Sequence, residues 1–356
     1  MLVHTAEPFN AEEAPERLVE AFVTPAPAFF ARNHGPAPDV DPAAFRLTVD
    51  GLVKKPLSLS LSDLARFPRF EVPATLQCAG NRRQDLIAFA PTPGEVPWRD
   101  GALGTAVWGG VRLADVLAEA GVEDGAKHVA FLSLDEVERH GERFPFGGSV
   151  PLAKALAPEV LLADTMDGGP LPHAHGGPLR GLVPGFIGAR SVKWVARITV
   201  QAEESANYFQ RHAYKVIPPE VAPPGADASG VDWDALPAIE DFPVSAVIAA
   251  PTEGARLAAG PVAVRGYALT GGGRALQSVE VSADGGATWT AAAFLDAGTP
   301  WTWRRWEAVL PLAPGVHALV ARARDEQGGQ PPDVADVWNV KGYLNNAWHR
   351  VHVEAG

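Results

Sequence analysis

The stretch Val216–Gly230, VIPPEVAPPGADASG, divides the chain into two parts of different character. Its prolines remove backbone donors and its glycines loosen the dihedrals, so it reads as a linker. Beyond it the helical period vanishes. PVSAVIAAP, VAVRGYAL, LQSVEVSA, TWTAAAF, RRWEAVLPL, HALVARARD and ADVWNV follow as seven strand-like runs, punctuated by TGGG, ADGG and LAPG. Such spacing predicts an all-β, immunoglobulin-like sandwich over residues 226–356, with Trp289, Trp303 and Trp306 filling a core that has no disulfide.

Residues 1–225 read instead as a mixed α+β domain. Its first 40 or so residues are proline-dense and look irregular. Phe45–Val53 and Leu57–Leu61 alternate as strands, and Ser62 with Asp63 is placed to cap a short helix running through Phe67. RLADVLAEAG (Arg112–Gly121) puts Leu113, Val116, Leu117 and Ala120 on one helical face and stops at glycine. KHVAFLSL and VLLADTM read as strands, and Val192–Gln201 alternates Val192, Trp194, Ala196, Ile198 and Val200 on one side. The 36 glycines and 33 prolines favour many turns over a helical bundle.

The 42 acidic residues outnumber the 30 basic ones, a formal net charge of −12, which argues against nucleic acid or anionic membrane as partners. An anionic substrate would need a local cationic pocket. No apolar run reaches the length of a membrane span. The start, MLVHTAEPFNAEEAPERLVE, has no apolar signal core, so the cytoplasm is expected, or the periplasm if an export signal has been removed.

The single cysteine, in TLQCAGNRR (Thr75–Arg83), excludes an intrachain disulfide and a cysteine-rich zinc site. A lone buried cysteine is ordinarily a small hydrophobe. Arg82 and Arg83, close in sequence, would lower its pKa, and a thiolate is either a nucleophile or a soft-metal ligand. His34 and His175 are the candidate bases for a nucleophile. Two further basic clusters stand out. FFARNHG holds Arg32 and His34 beside aromatics, and HAHGGPLRGLVPGFIGARSVK sets His173, His175, Arg180, Arg190 and Lys193 among glycines. Free backbone N–H groups beside cations form a cradle for phosphate, although the spacing is neither a P-loop nor a dinucleotide fingerprint.

TLQCAGNRR, FFARNHG, HGGPLRGLVPGFIGARSVKW, GGGRALQSVEVSADGGATW and WNVKGYLNNAWHRV, in that set, resemble the sulfite oxidase family of molybdenum enzymes, over nearly the whole chain. The resemblance implies a molybdopterin-binding α+β domain of the sulfite oxidase fold, followed by an immunoglobulin-like dimerisation domain. It implies a molybdenum–molybdopterin cofactor with Cys78 as the metal's protein ligand. Positions matching the family's cofactor contacts are Phe30, Arg32, His34, Asp135, His175, Arg180, Ser191 and Lys193. Those matching its anion and catalytic site are Arg32, Arg83, Lys341, Trp98 and Tyr214. The implied reaction is oxidation of sulfite to sulfate by oxygen-atom transfer. With no haem domain legible, electrons would pass to an external acceptor, dioxygen or a separate cytochrome, and a homodimer is expected. Lys341 departs from the family's usual arginine, which keeps the charge but loses the planar bidentate fork. The alternatives are a related molybdoenzyme acting on nitrate or another sulfur oxyanion, and a binding protein that has lost its cofactor.

Overall fold

In a computed structural model, which describes residues 1–225 and 230–356, the amino-terminal part rests on two five-stranded sheets. One orders Gly147–Pro151, His128–Ser133, Val195–Gln201, Leu47–Gly51 and Leu57–Leu59, with only the Val195–Gln201 and Leu47–Gly51 pair parallel. The other orders Gly169–Pro170, Leu161–Met166, Leu103–Arg112 and Arg69–Gln77, with Arg180–Leu182 also pairing Leu161–Met166. The helix Leu113–Ala120 leaves the long strand directly and buries Leu113, Val116, Leu117 and Ala120. It ends at Gly121, whose φ of 70° suits glycine and whose N–H bonds Leu117 O at 2.9 Å. Each such buried leucine or valine contributes about 1.5–3 kcal/mol relative to exposure.

Several local expectations shift. The first residues are not irregular: Leu2–Thr5 and Asn10–Glu12 form a hairpin. Buried Glu12 pins it, accepting from Arg99 N–H at 2.8 Å and Gly101 N–H at 2.9 Å. The short helix is Leu61–Leu64 and its cap is Ser60, not Ser62. Ser60 and Asp63 close a capping box, which ends the preceding strand at Leu59. In Val195–Gln201 the buried face carries Ile198 and Val200, while Val192 and Trp194 precede the strand. A register shift between Val195 and Arg197 buries Val195 as well.

The carboxy-terminal part is two sheets face to face. One orders Ser245–Ala250, Gly260–Leu269, Arg304–Leu312 and Ala293–Phe294. The other orders Ala255–Leu257, His349–Ala355, Gly315–Asp325, Leu276–Ser282 and Thr290–Ala291. TWTAAAF breaks into two short strands, Thr290–Ala291 and Ala293–Phe294. ADVWNV is not a strand. It forms a 3₁₀ turn at Val334–Asp336, and Trp338 and Val340 then pack with Leu86, Ala90 and Ile217. The ladder place is taken by His349–Ala355, which alternates buried and exposed residues. The expected division at residues 225/226 abuts residues 226–229, the part of the linker that lies outside the described residues. Among the described residues no helix is long and apolar enough to cross a membrane.

The three tryptophans part ways. Trp306 lies in the sandwich core. Trp289 is half-buried and packs edge-on to Trp348 at 5.0 Å, with Arg322 over its ring. Trp303 instead joins the core of the first part: its indole N–H donates to Phe22 O (3.0 Å), and its backbone N–H to Thr75 Oγ1 (2.8 Å). Trp303→Ala is therefore expected to lower stability by about 3–5 kcal/mol, and Trp289→Ala by much less, both read as shifts in the urea unfolding midpoint.

Candidate active site

The strand Arg69–Gln77 ends at Cys78, and the turn that follows is fastened by residues from the far end of the chain. Leu344 N–H donates to Ala79 O (2.8 Å), and Asn345 Nδ2 to Arg82 O (2.9 Å). Arg82 Nη1 donates to Ala347 O at 2.8 Å. Arg83 Nε reaches the carbonyls of Lys341 and Gly342, each at 3.1 Å. Gly80 is required here, because a Cβ would sit 2.5 Å from the Arg83 guanidinium. Its N–H points to Cys78 Sγ at 3.4 Å.

Cys78 opens onto a cavity. The cavity brings together Phe30, Arg32, His34, Cys78, Asp135, His175, Arg180, Ser191, Lys193 and Tyr214 from five separate stretches of sequence. Tyr214 follows the π-turn Phe209–Ala213. Its hydroxyl shares a 2.9 Å hydrogen bond with His34 Nε2. The His34 ring lies against Phe146 (4.7 Å) and Phe209 (4.4 Å).

Burial decides the protonation states. It pushes the Tyr214 phenol up, and Arg32 only partly opposes this, so the hydroxyl keeps its proton. It pulls His34 well below the usual histidine value, with Arg32 adding to the effect, so the ring is neutral. His175 is lowered to about 4, and its Nε2 lies 3.1 Å from Ala26 O. Burial also raises the Cys78 thiol against the pull of Arg83 and Arg32, so proximity to arginine does not by itself make a thiolate. Arg82 is no help, since it turns away to Ala347 O and Asp85. A soft metal bound at Sγ would displace this proton.

The basic side of the cavity has one carboxylate near it, Asp135, which acts on Lys193 without forming an ion pair among the described residues. Arg180 is 3% exposed and gives its N–H groups to the carbonyls of His175 and Ser191 at 2.8 Å and of Gly181 at 3.3 Å. Lys193 Nζ donates to Asn33 Oδ1 and Ala174 O, both at 2.7 Å. Among the described residues neither cation forms an ion pair. Burial lowers Arg180 to about 9 and Lys193 well below the usual lysine value. Buried basic groups whose hydrogen bonds go to neutral oxygens, with the Asp135 carboxylate acting on Lys193 from a distance, favour an anion beside them. With a thiol at the other side of the same cavity, the donor set fits a phosphate-bearing cofactor that carries a soft metal.

Not every expected residue lines this cavity. Arg190, part of the expected cradle, is buried and donates to Ile239 O instead. His173 bonds Pro38 O and also lies outside it. Arg83, Lys341 and Trp98 are not on the wall. The Arg83 guanidinium is occupied by carbonyls and by Glu95, 3.7 Å away, though it still acts on the Cys78 thiol. Lys341 Nζ lies 3.9 Å from Glu95. Trp98 is wholly buried, stacks edge-on to His4 at 4.8 Å, and leaves its indole N–H without a partner. Three contributors carried no signal in the sequence reading. Asn33 holds Lys193. Tyr343 stacks on Tyr214 at 5.3 Å beneath Arg83. Glu95 lies beside both Arg83 and Lys341.

Comparison with known proteins agrees with this donor set. The family model of the oxidoreductase molybdopterin binding domain matches residues 34–209, and that of the Mo-co oxidoreductase dimerisation domain matches residues 236–356. The chain is 46% identical to mitochondrial sulfite oxidase of Homo sapiens over 99% of its own length, yet it spans only 65% of that protein. It is 38% identical to sulfite oxidase of Arabidopsis thaliana, over 99% of this chain and 94% of the plant protein. The structure of the sulfane dehydrogenase SoxCD from Paracoccus pantotrophus superposes with a TM-score of 0.79 at 28% identity, covering 96% of this chain and 85% of that one. The lone thiol, the buried basic groups around it and the match over nearly the whole length of the plant relative together place the chain in the sulfite oxidase family of molybdopterin enzymes.

Proposed function

We propose that the protein oxidises sulfite to sulfate at a molybdenum–molybdopterin centre held through Cys78, passing two electrons to an external acceptor. The observation that carries this reading is one cavity holding both a lone thiol and buried basic side chains, Arg180 and Lys193, that form no ion pair among the described residues. When bound, the cofactor supplies the transferable oxygen atom and takes up the electron pair. Arg180, Lys193, Ser191 and His175 would hold its phosphate, and Phe30, His34 and Asp135 its pterin. Arg32 and Arg83 draw an oxyanion toward Cys78, and Lys341, which shares Glu95 with Arg83, adds its charge beside them. A cation at about 4 Å attracts an anion by roughly 4 kcal/mol at an effective dielectric of 20. Two such cations outweigh the repulsion of a net charge of −12, which salt screens beyond about 10 Å. Tyr214 keeps its proton and donates toward the oxyanion, with neutral His34 orienting it. The likeness to SoxCD supports a second reading, another reduced sulfur species as substrate. The match to a dimerisation domain supports a homodimer, with its boundary near residues 225/226. Dioxygen or a separate cytochrome serves as the acceptor.

Sulfite-dependent reduction of ferricyanide by purified, molybdenum-loaded protein tests the reading, and turnover with nitrate but not sulfite would overturn it. Cys78→Ser is expected to abolish that turnover. Lys341→Arg restores the planar fork, so it should lower KM for sulfite severalfold with kcat little changed; an unchanged KM removes this role for the lysine. His175 titrates at about 4 in the fold and near 6.5 when unfolded, so its contribution is complete above about pH 6.5 and is lost as pH falls toward 4. At about 1.4 kcal/mol per tenfold in proton affinity, cofactor-free protein should lose about 3 kcal/mol from this group. His175→Gln should remove that portion of the loss, measured by urea unfolding at pH 7 and pH 4.

A further inference from the structure

The loop Pro91–Trp98, PTPGEVPW, joins the helix Arg83–Phe89 to the buried Trp98 and has no regular structure. It meets Arg83 twice, through the Val96 carbonyl at 2.8 Å and through Glu95 Oε2 at 3.7 Å. The other carboxylate oxygen, Oε1, lies 3.9 Å from Lys341 Nζ. The Glu95 side chain is 17% exposed, so water screens these contacts only in part. Both distances exceed hydrogen-bond length. Glu95 is therefore an electrostatic neighbour of the two cations and is not locked to either. Its charge reaches the interior as well, since it opposes ionisation of both Tyr214 and Tyr343.

A carboxylate and a small oxyanion are close chemical equivalents, each offering two oxygens on one centre to a pair of cationic donors. Glu95 spans Arg83 and Lys341 in the way such a ligand would. We infer that Glu95 is a tethered anion that competes with the substrate for Arg83 and Lys341, setting how tightly the site holds small oxyanions. This deepens the functional reading above and rests on its placing of those two cations at the substrate. Arg32 donates to the Asn33 carbonyl and to Asn10 Oδ1 and forms no ion pair among the described residues, so it is the substrate cation without a carboxylate beside it. An oxyanion that engages only Arg32 stays weakly bound, whereas one with a second and third oxygen displaces the carboxylate. Glu95 thus lowers affinity for small oxyanions at these cations, the sulfate product included.

The test is calorimetric titration of the molybdenum-loaded protein with sulfate, which reads binding without turnover. Glu95→Gln keeps the shape of the side chain and removes its charge, and is expected to tighten sulfate binding roughly tenfold, about 1.4 kcal/mol. The control is Glu138→Gln. Glu138 is 65% exposed beside Arg143, so this variant changes the net charge equally and should leave sulfate binding where it was. Unchanged affinity in Glu95→Gln overturns the inference, as does an equal gain in Glu138→Gln or the lack of saturable sulfate binding in both native protein and Glu95→Gln. If Glu95→Gln does not fold, Glu95→Asp withdraws the charge by one methylene and should tighten binding by a smaller factor; no gain there overturns the idea. Sulfite turnover, measured in parallel on the native protein, separates this outcome from failure of the substrate reading: its absence rejects sulfite while the sulfate titration still decides the role of Glu95.

Discussion

The turn Cys78–Arg83 holds its shape because the segment Lys341–Ala347 is bonded across it. Two side chains of the turn and two of its carbonyls or neighbours are satisfied by that segment, and its own strand supplies only the approach. A thiol at the end of a strand is otherwise free to swing, and a metal site tolerates little error in ligand position. The two structural parts are therefore not a catalytic unit with an accessory attached. The second part supplies the clamp, Trp303 plugs the first part's core, and Tyr267 reaches Asp100 O at 2.6 Å from the sandwich side.

The site is governed by a contest between desolvation and charge, and desolvation wins at nearly every group. The Cys78 thiol, the Tyr214 phenol, neutral His34 and depressed Lys193 all move in the direction burial dictates, against or beyond what neighbouring charges would do. The cavity so assembled is a set of neutral hydrogen-bonding groups beside cations solvated by carbonyls. That arrangement costs stability unless an anion completes it. Family membership explains why the cost is tolerated, since the relatives' matched domain binds molybdopterin.

Legibility in the sequence followed distance along the chain. The helix Leu113–Ala120 and most of the strands could be read because their hydrophobic periods are local. Cys78, Lys193 and Tyr214 could be named because their motifs are contiguous. Ser60 as the cap was missed because Ser62 competes two residues away with the same chemistry. The fate of ADVWNV was not readable because its apolar residues serve another cluster, not a ladder. Glu95 and Tyr343 carry no local mark at all. Their meaning comes from Arg83, Lys341 and Tyr214, which lie far off in sequence and close in space.

The clamp on the thiol turn also imposes an order on biosynthesis. Asn345 and Ala347 lie 263 and 265 residues beyond the arginine they fasten. Before that segment is made, the turn is held by its bonds to Arg99 and Ala102, and before Trp303 is made the core lacks its indole. The thiol turn and the core beneath it therefore reach their final form only with the second part, once the segment Lys341–Ala347 is in place.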